Sequence, residues 1–516
     1  MNKFLVRTIN YYKYFNTMWW KLYIIIGLCF LLLLSIYITF KYVHGPTTQF
    51  SVYFVATIGF FFCSSTLCLL PLDILNYADS KETLLILWKI IYWMSQILNW
   101  IILPISMDYY KSGYFTSKEK LKSAIKMNIK FYVIILIIAV ITIVSLAITK
   151  KLTESTLLNF VVILSQSFGL IITVIFLGYG IVAYPRSIYK RMDNDKIIKY
   201  HKFKLLKAYH KYEHTKLELM QVQKTFSKVC ELAISQPDMI QYIKAIDRLF
   251  VTKYDLTNIL ENTQDDKIPK TINELDKEYW IRLHALVKKT NRKYVIAKGL
   301  FNHYMSYFDN TRKSFKLHRS LIYFLIFIVS IVGILLSICE GSLITIVDIC
   351  PFIYFKGFVK FGFSIGLFIL MCIMTCLPIF HLNVPNRYHI FIGYTDEISL
   401  LYLVGNILNI IWPLTYNFIM INGFENKTVF ESIFGEIYVL QKISEWFPII
   451  IIIVSVLTIL NIPQKICNLL VCLHAEDEND EVSLNDYSEI DPKNIDTDIL
   501  EADILIKRIT TSVEPF

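Results

Sequence analysis

Apolar residues in this chain come in long, nearly uncharged runs, not in the alternation of a strand or the one-sided stripe of a surface helix. Nine such runs lie near residues 22–40, 50–72, 84–105, 131–149, 157–183, 320–339, 358–380, 398–421 and 447–461. A helix needs about 20 mainly apolar residues to cross a bilayer core. The pattern therefore predicts an all-α polytopic membrane protein with about nine transmembrane helices. Between the fifth and sixth runs the period changes. Leu219, Val222, Phe226, Val229 and Ala233 step by three and four, as do Leu283, Val287, Thr290, Tyr294, Ala297, Phe301, Tyr304 and Phe308. Such steps mark one face of a helix, and the polar, proline-containing stretch "NTQDDKIPKTINELDKE" between them reads as the turn of a helical hairpin or coiled coil. The expected divisions are an N-terminal arm 1–21, a five-span bundle 22–183, a hairpin 184–319, a four-span bundle 320–461 and a tail 462–516. The first run follows a basic start, as in a signal peptide. It is too long for one and lacks a small-residue cleavage site, so it is expected to be a retained span.

Composition agrees: 55% of the residues are hydrophobic and 15% aromatic, more than a soluble globular chain carries. Charge adds orientation, because lysine and arginine near spans stay in the cytosol. The loop "MDYYKSGYFTSKEKLKSAIKMNIK" holds six lysines, and residues 184–319 hold 28 basic against 15 acidic residues. Both segments are expected to be cytosolic. With nine spans the N-terminus then lies outside and the C-terminus in the cytosol, although Lys3, Arg7, Lys13 and Lys21 precede the first span and favour the opposite sense. Asn426, in the sequon Asn426-Lys427-Thr428, falls in an expected exterior loop and is a glycosylation candidate. The basic hairpin would sit well beside anionic lipid, or simply present a solvated face. The tail "HAEDENDEVSLNDYSEIDPKNIDTDILEAD" is dominated by acid and is expected to be disordered. It is free to fold against the basic hairpin, to recruit a partner or to aid solubility.

Candidate chemistry is sparse. Phosphate-loop, dinucleotide, nucleophile-elbow and zincin signatures are absent, so the expectation is a non-enzymatic chain without cofactor, catalytic residue or metal. His201, His210 and His214 lie on a basic helical stretch and read as a solvated face, not ligands. No helix-turn-helix, RNP or zinc-finger pattern accompanies the charge, which argues against nucleic acid. Most cysteines lie in spans and act as small hydrophobes. Cys339 and Cys350 flank an expected exterior loop and are a possible disulfide. Cys467 and Cys472, just past the last span, are palmitoylation candidates.

One feature of the spans is polar. In "IYWMSQILNWIILP" Tyr92, Gln96 and Asn99 share a face, with Trp93 and Trp100 beside them. Tyr402, Asn406 and Asn409, followed by Trp412 and Pro413, repeat the device in the eighth run. Amides in hydrocarbon must find partners. Gln96 is therefore expected to face Asn406 or Asn409 across a protein-lined seam, which serves as interhelical glue or as a pathway of the inverted-repeat kind.

Several ordered motifs carry a resemblance: "LLPLDIL", "WKIIYWMSQILNWIILP", "YYKSGYFT", "LGYGIVAYPRSIY", "YTDEISLLYLVGN" and "IPQKICNLL". Over about residues 22–475 the chain resembles the LMBR-type membrane proteins, and within them the branch called LMBR domain-containing protein 2. Among the motif residues are Asp73, Pro104, Gly113, Gly180, Pro185, Arg186 and Asp396. The resemblance implies nine spans, an outside N-terminus and a central cytosolic helical insert. Relatives are described as lipocalin receptors, as a lysosomal cobalamin transporter component and as plasma-membrane regulators of G-protein-coupled receptor signalling. The resulting expectation is a receptor or signalling adaptor that meets a membrane receptor or signalling protein through its hairpin. The alternative is a small-molecule transporter, or a subunit of one, built on the polar seam. The plasma membrane is the expected site, with an endosomal or lysosomal membrane as alternative. Compared with the branch, the loop "DILNYADSKET" is short.

Overall fold

The computed structural model describes residues 2–43, 48–75, 81–148, 154–190, 194–233, 237–250, 252, 275–311, 319–345, 357–381, 390–421, 428–430, 446–462 and 492–511. Among these the secondary structure is helical, apart from one isolated bridge between Val43 and Thr395. Hydrocarbon offers the backbone no hydrogen bonds, so a spanning segment must satisfy itself as a helix. The first apolar runs give α1 (Asn2–Tyr42), α2 (Phe50–Leu75), α3 (Lys81–Ile97) and α4 (Leu103–Lys111), then α5 (Ser117–Ile148) and α6 (Glu154–Lys190). The later runs give α10 (Arg319–Thr345), α11 (Gly357–His381), α12 (Glu397–Ile421) and α13 (Phe447–Ile459). Between the two sets lie α7 (Asn194–Ala233), α8 (Ile240–Asp247) and α9 (Lys277–Thr311). Among the described residues, seven helices are long and apolar enough to cross a membrane. Tyr323–Cys339 and Phe447–Ile459 are shorter apolar helices at the sixth and ninth runs. The protein is an all-α, multi-pass membrane protein.

α12 is the innermost span, with 72% of its apolar window buried, whereas α5 at the rim has 6%. Two glycines explain how α6 lies so close to its neighbours. A Cβ on Gly178 would fall 2.8 Å from the Ile451 carbonyl oxygen of α13, and one on Gly180 would fall 1.9 Å from the Met374 carbonyl oxygen of α11. Residues two apart point to opposite sides of a helix, so "GYG" opens two faces of α6 at one level.

α7 and α9 pack side by side and bury the residues whose spacing marked them. Leu219, Phe226, Val229 and Ala233 are buried, as are Leu283, Val287, Tyr294, Ala297 and Phe301. α8 adds a short helix to this hairpin and buries Ile246 against it. Sequence spacing gave no sign of α8, because a helix of two turns shows too few repeats.

Two expectations change. The arm drawn at residues 1–21 is continuous with the first span, since α1 runs unbroken through that boundary. The tail, expected to be disordered, carries a helix over part of its length, α14 (Pro492–Thr511). Ala502 and Leu505 of α14 are buried, and Leu505 joins the core of α7 and α9. Averaging composition over the whole tail hid this helix, because the apolar residues it buries are few against the acidic residues around them.

Candidate functional site

At the middle of the third span the helix changes pitch. Residues Leu98–Ile102 form a π-helical turn between α3 and α4, with the Leu103 N–H donating to the Leu98 carbonyl. Pro104 accounts for the defect. Its ring nitrogen has no hydrogen for the carbonyl four residues back, that of Trp100. The freed carbonyl accepts instead from the Tyr132 hydroxyl of α5 at 3.0 Å, and the Trp100 ring stacks on Phe131 with centroids 6.1 Å apart.

The polar seam forms beside this turn, with a different pairing from the expected one. Asn99 Nδ2 donates to Asn409 Oδ1 at 2.5 Å. Gln96 does not reach α12; its Oε1 accepts from Trp100 Nε1 at 3.1 Å on its own helix. Asn406 likewise turns back, donating to the Tyr402 carbonyl at 3.0 Å. The reason is register: Asn99 continues the line of Trp88, Tyr92 and Ser95 that faces α12, at steps of four, three and four, and Gln96 lies to one side of it. Tyr92 and Trp412 also leave the seam. They are buried towards the end of the bundle away from the hairpin, with Trp88 and Phe430, at centroid separations of 5.0–6.1 Å. There Trp412 Nε1 donates to Ser95 Oγ at 2.9 Å. Trp93 points outward, 40% exposed. A crevice nearby, between α6, α12 and α13, is lined by Leu170, Thr173, Pro413 and Asn417 and has no room for a water molecule.

The motif residues gather at three other places. Asp73 is buried at the end away from the hairpin, where its two carboxylate oxygens accept from the backbone N–H groups of Val429 and Phe430 at 2.7 and 2.8 Å. Arg186, next to Pro185 in α6, donates to the carbonyls of Thr458 and Ile459 at 3.2 and 3.3 Å and to the Asn461 side chain. A cation there meets the last carbonyls and the negative dipole end of α13. Asn461 follows in the left-handed conformation (φ 58°) that commonly ends a helix.

The third place joins the hairpin to the bundle. Gly113, in the loop between α4 and α5, lies against α9: a Cβ would fall 2.4 Å from the Ile281 carbonyl oxygen. Its own carbonyl lies 2.6 Å from His284 Nδ1, which must therefore carry the hydrogen. Lys288 Nζ donates to the Ser112 carbonyl at 2.9 Å. Burial, with Lys288 and Lys120 nearby, lowers the His284 pKa from 6.5 to about 4, against the opposing effect of its bond to Gly113. Burial and Lys120 lower Lys288 to about 8. Further along α9, Arg292 Nε donates to Asp396 Oδ2 at 2.6 Å. Asp396 stands one residue before α12, and its carboxylate also accepts from the Ser399 backbone N–H at 3.3 Å, as an N-cap does. Asn302 donates to the Tyr394 hydroxyl at 3.1 Å. The same loop pairs with the end of α1, where the Gly393 and Thr395 N–H groups donate to the Lys41 and Tyr42 carbonyls at 2.9 and 3.1 Å. α9 therefore touches the loop after the third span and the start of α12. Sequence reasoning flagged Gly113 and Asp396 but missed their partners His284 and Arg292, which lie about 170 and 100 residues away in the chain.

The remaining candidates fall elsewhere. His201 stacks on Tyr307 with centroids 3.8 Å apart. No group of three or more potential metal ligands converges among the described residues. Cys339 is buried in α10; Cys350, Asn426, Cys467 and Cys472 lie outside the described residues.

Comparison with known proteins bears on the same residues. The sequence model described as "LMBR1-like membrane protein" matches residues 21–462. LMBR1 domain-containing protein 2 homolog B of Dictyostelium discoideum is 23% identical, over 83% of this chain and 64% of its own. The Drosophila melanogaster LMBR1 domain-containing protein 2 homolog is 36% identical over 23% of this chain and 18% of its own. The human protein named G-protein coupled receptor-associated protein LMBRD2 is 35% identical over 20% of this chain and 15% of its own. The chain thus spans less than two thirds of the length of these relatives. No solved structure matches.

Proposed function

The chain belongs to the LMBR1-like membrane protein family, and from that premise we propose that it is a non-enzymatic membrane adaptor modulating G-protein-coupled receptor signalling through its basic helical hairpin. The receptor link comes from the names of relatives in human and chicken, both called G-protein coupled receptor-associated protein LMBRD2. The observation that carries the adaptor reading is the Arg292–Asp396 pair, 2.6 Å long and largely buried, which ties α9 to the N-terminus of the innermost span. Such a joint passes a shift in α12 to the hairpin as a tilt of α9, and the reverse. By this reading the hairpin lies in the cytosol near anionic lipid and meets a receptor or signalling protein there. The plasma membrane is its site, with an endosomal or lysosomal membrane as second place.

A transport role remains the second reading, because amides stand at mid-membrane depth. Against it counts the direct bond between Asn99 and Asn409, which engages those two side chains with each other. The test is replacement of the native chain by Arg292→Gln in its own cell, reading receptor-stimulated cyclic AMP and surface level together. A changed response at unchanged surface level is expected, restored by the exchange Arg292→Asp with Asp396→Arg. A normal response in Arg292→Gln sinks the adaptor reading.

A further inference from the structure

α14 rests on the foot of the hairpin, the part of α7 and α9 nearest the bundle. Leu505 enters a cluster with Leu205, Ala208, Ala297 and Phe301, and Ile506 and Ile509 pack at its edge. Lys202 Nζ reaches both carboxylate oxygens of Asp503, at 2.7 and 2.8 Å. The groove thus selects a small pattern: apolar residues three and four apart, with an acid beside them. We infer that this groove is a docking site for an acidic amphipathic helix next to the membrane span of a partner protein, and that α14 is its resident, displaceable occupant.

Three observations support displacement. α14 uses one face only, and Leu500 and Ile504 on the other side are 63% and 51% exposed. Twenty-nine residues, 463–491, separate α14 from the described end of the last span, so α14 is not the direct continuation of that span into the groove. The groove also lies beside the bundle. α7 begins four residues after α6 ends, and α9 ends eight residues before α10 begins. A juxtamembrane helix of a neighbouring membrane protein runs at that height. The source of the incoming helix rests on the function proposed above; the groove does not, and its occupancy is measured with no receptor present.

The test uses the full chain in lipid nanodiscs and a fluorescent peptide of residues 492–511. In the native chain the tethered α14, at an effective concentration of about millimolar, should keep the peptide out. Leu505→Asp or, as a second variant, Asp503→Lys in the chain should free the groove and tighten peptide binding by about tenfold or more. Adding Lys202→Glu to the Leu505→Asp chain should abolish binding, and a peptide carrying Asp503→Lys should restore it, which separates recognition from misfolding. A designed acidic helix that keeps only Ala502, Asp503, Leu505, Ile506 and Ile509 should bind the freed groove about as well as the native peptide. No gain on freeing the groove, no rescue by the charge exchange, or failure of the designed helix would each overturn the inference.

Discussion

Single residues in this bundle matter most where two backbones or two amides meet. Asn99 and Asn409 satisfy each other at mid-membrane, so Asn99→Leu strands one amide while Asn99→Leu with Asn409→Leu strands none. The single variant is expected to lose about 1 kcal/mol, near the usual worth of an interhelical hydrogen bond, and the double variant to recover most of it. Gln96→Leu, which breaks only a contact within its own helix, is expected to cost less. Thermal unfolding in nanodiscs ranks the three; a Gln96 variant worse than the Asn99 variant contradicts the pairing. Gly180 poses a steric question, since an added methyl meets the Met374 carbonyl at 1.9 Å. Gly180→Ala must push α6 and α11 apart and is expected to cost about 1–3 kcal/mol. Gly362→Ala, with nothing within 4 Å of the new Cβ, is the matched control and should be near neutral in the same melts.

At the scale of elements, the docking of α9 on the loop between α4 and α5 depends on a neutral histidine. His284 is 4% exposed and binds a proton less readily in the fold, at about 4, than at its ordinary 6.5. Between those values the unfolded or undocked state takes up the proton and gains by it. The docked state is therefore fully favoured above about pH 6.5 and loses ground as pH falls towards 4, by at most about 3 kcal/mol from this group. Protection factors along α9, measured by hydrogen exchange and corrected for the intrinsic pH dependence of amide exchange, should fall over that interval, and His284→Gln should flatten the change. Equal pH dependence in the variant rules His284 out as its source. Arg186 is the comparable device at α13. Arg186→Gln removes the cation from the last carbonyls of that helix, and faster exchange is expected there while α9 is unaffected.

The whole molecule has two unlike ends. One end gathers the hairpin, the loop after the third span, the end of α1 and the start of α12. The other holds Asp73 with Val429 and Phe430. From the lysine and arginine counts we propose that the first end faces the cytosol. Cysteines placed singly at the exposed positions Lys289 and Glu82 should then react with a membrane-impermeant thiol reagent from opposite faces of the intact cell membrane, Glu82 from outside. Labelling of both from one face overturns the arrangement.

How much of this was legible in the sequence follows from the range of the forces involved. Apolar run length fixed the membrane class and the helices, because hydrocarbon leaves the backbone no choice but to bond within its own segment. Heptad spacing picked out the buried faces of α7 and α9, since those faces meet each other and nothing else decides them. Gly113, Gly180, Arg186 and Asp396 stood out as motif residues, but their roles did not, because each role lies in a contact with a residue 100 to nearly 300 positions away. The exchange of Gln96 for Asn99 in the seam shows the limit most plainly. Gln96 and Asn99 are three residues apart and share one broad face, so spacing alone did not say which of them meets α12; packing chose Asn99, in line with Trp88, Tyr92 and Ser95. The tail shows the same limit at larger scale: its acidic average is a property of the sequence, whereas the place where α14 buries Leu505 and pairs Asp503 is supplied by packed α7 and α9. Local solvation and periodicity were enough to decide which segments are helices; which faces meet was decided by packing, where a shift of one residue changes the partner.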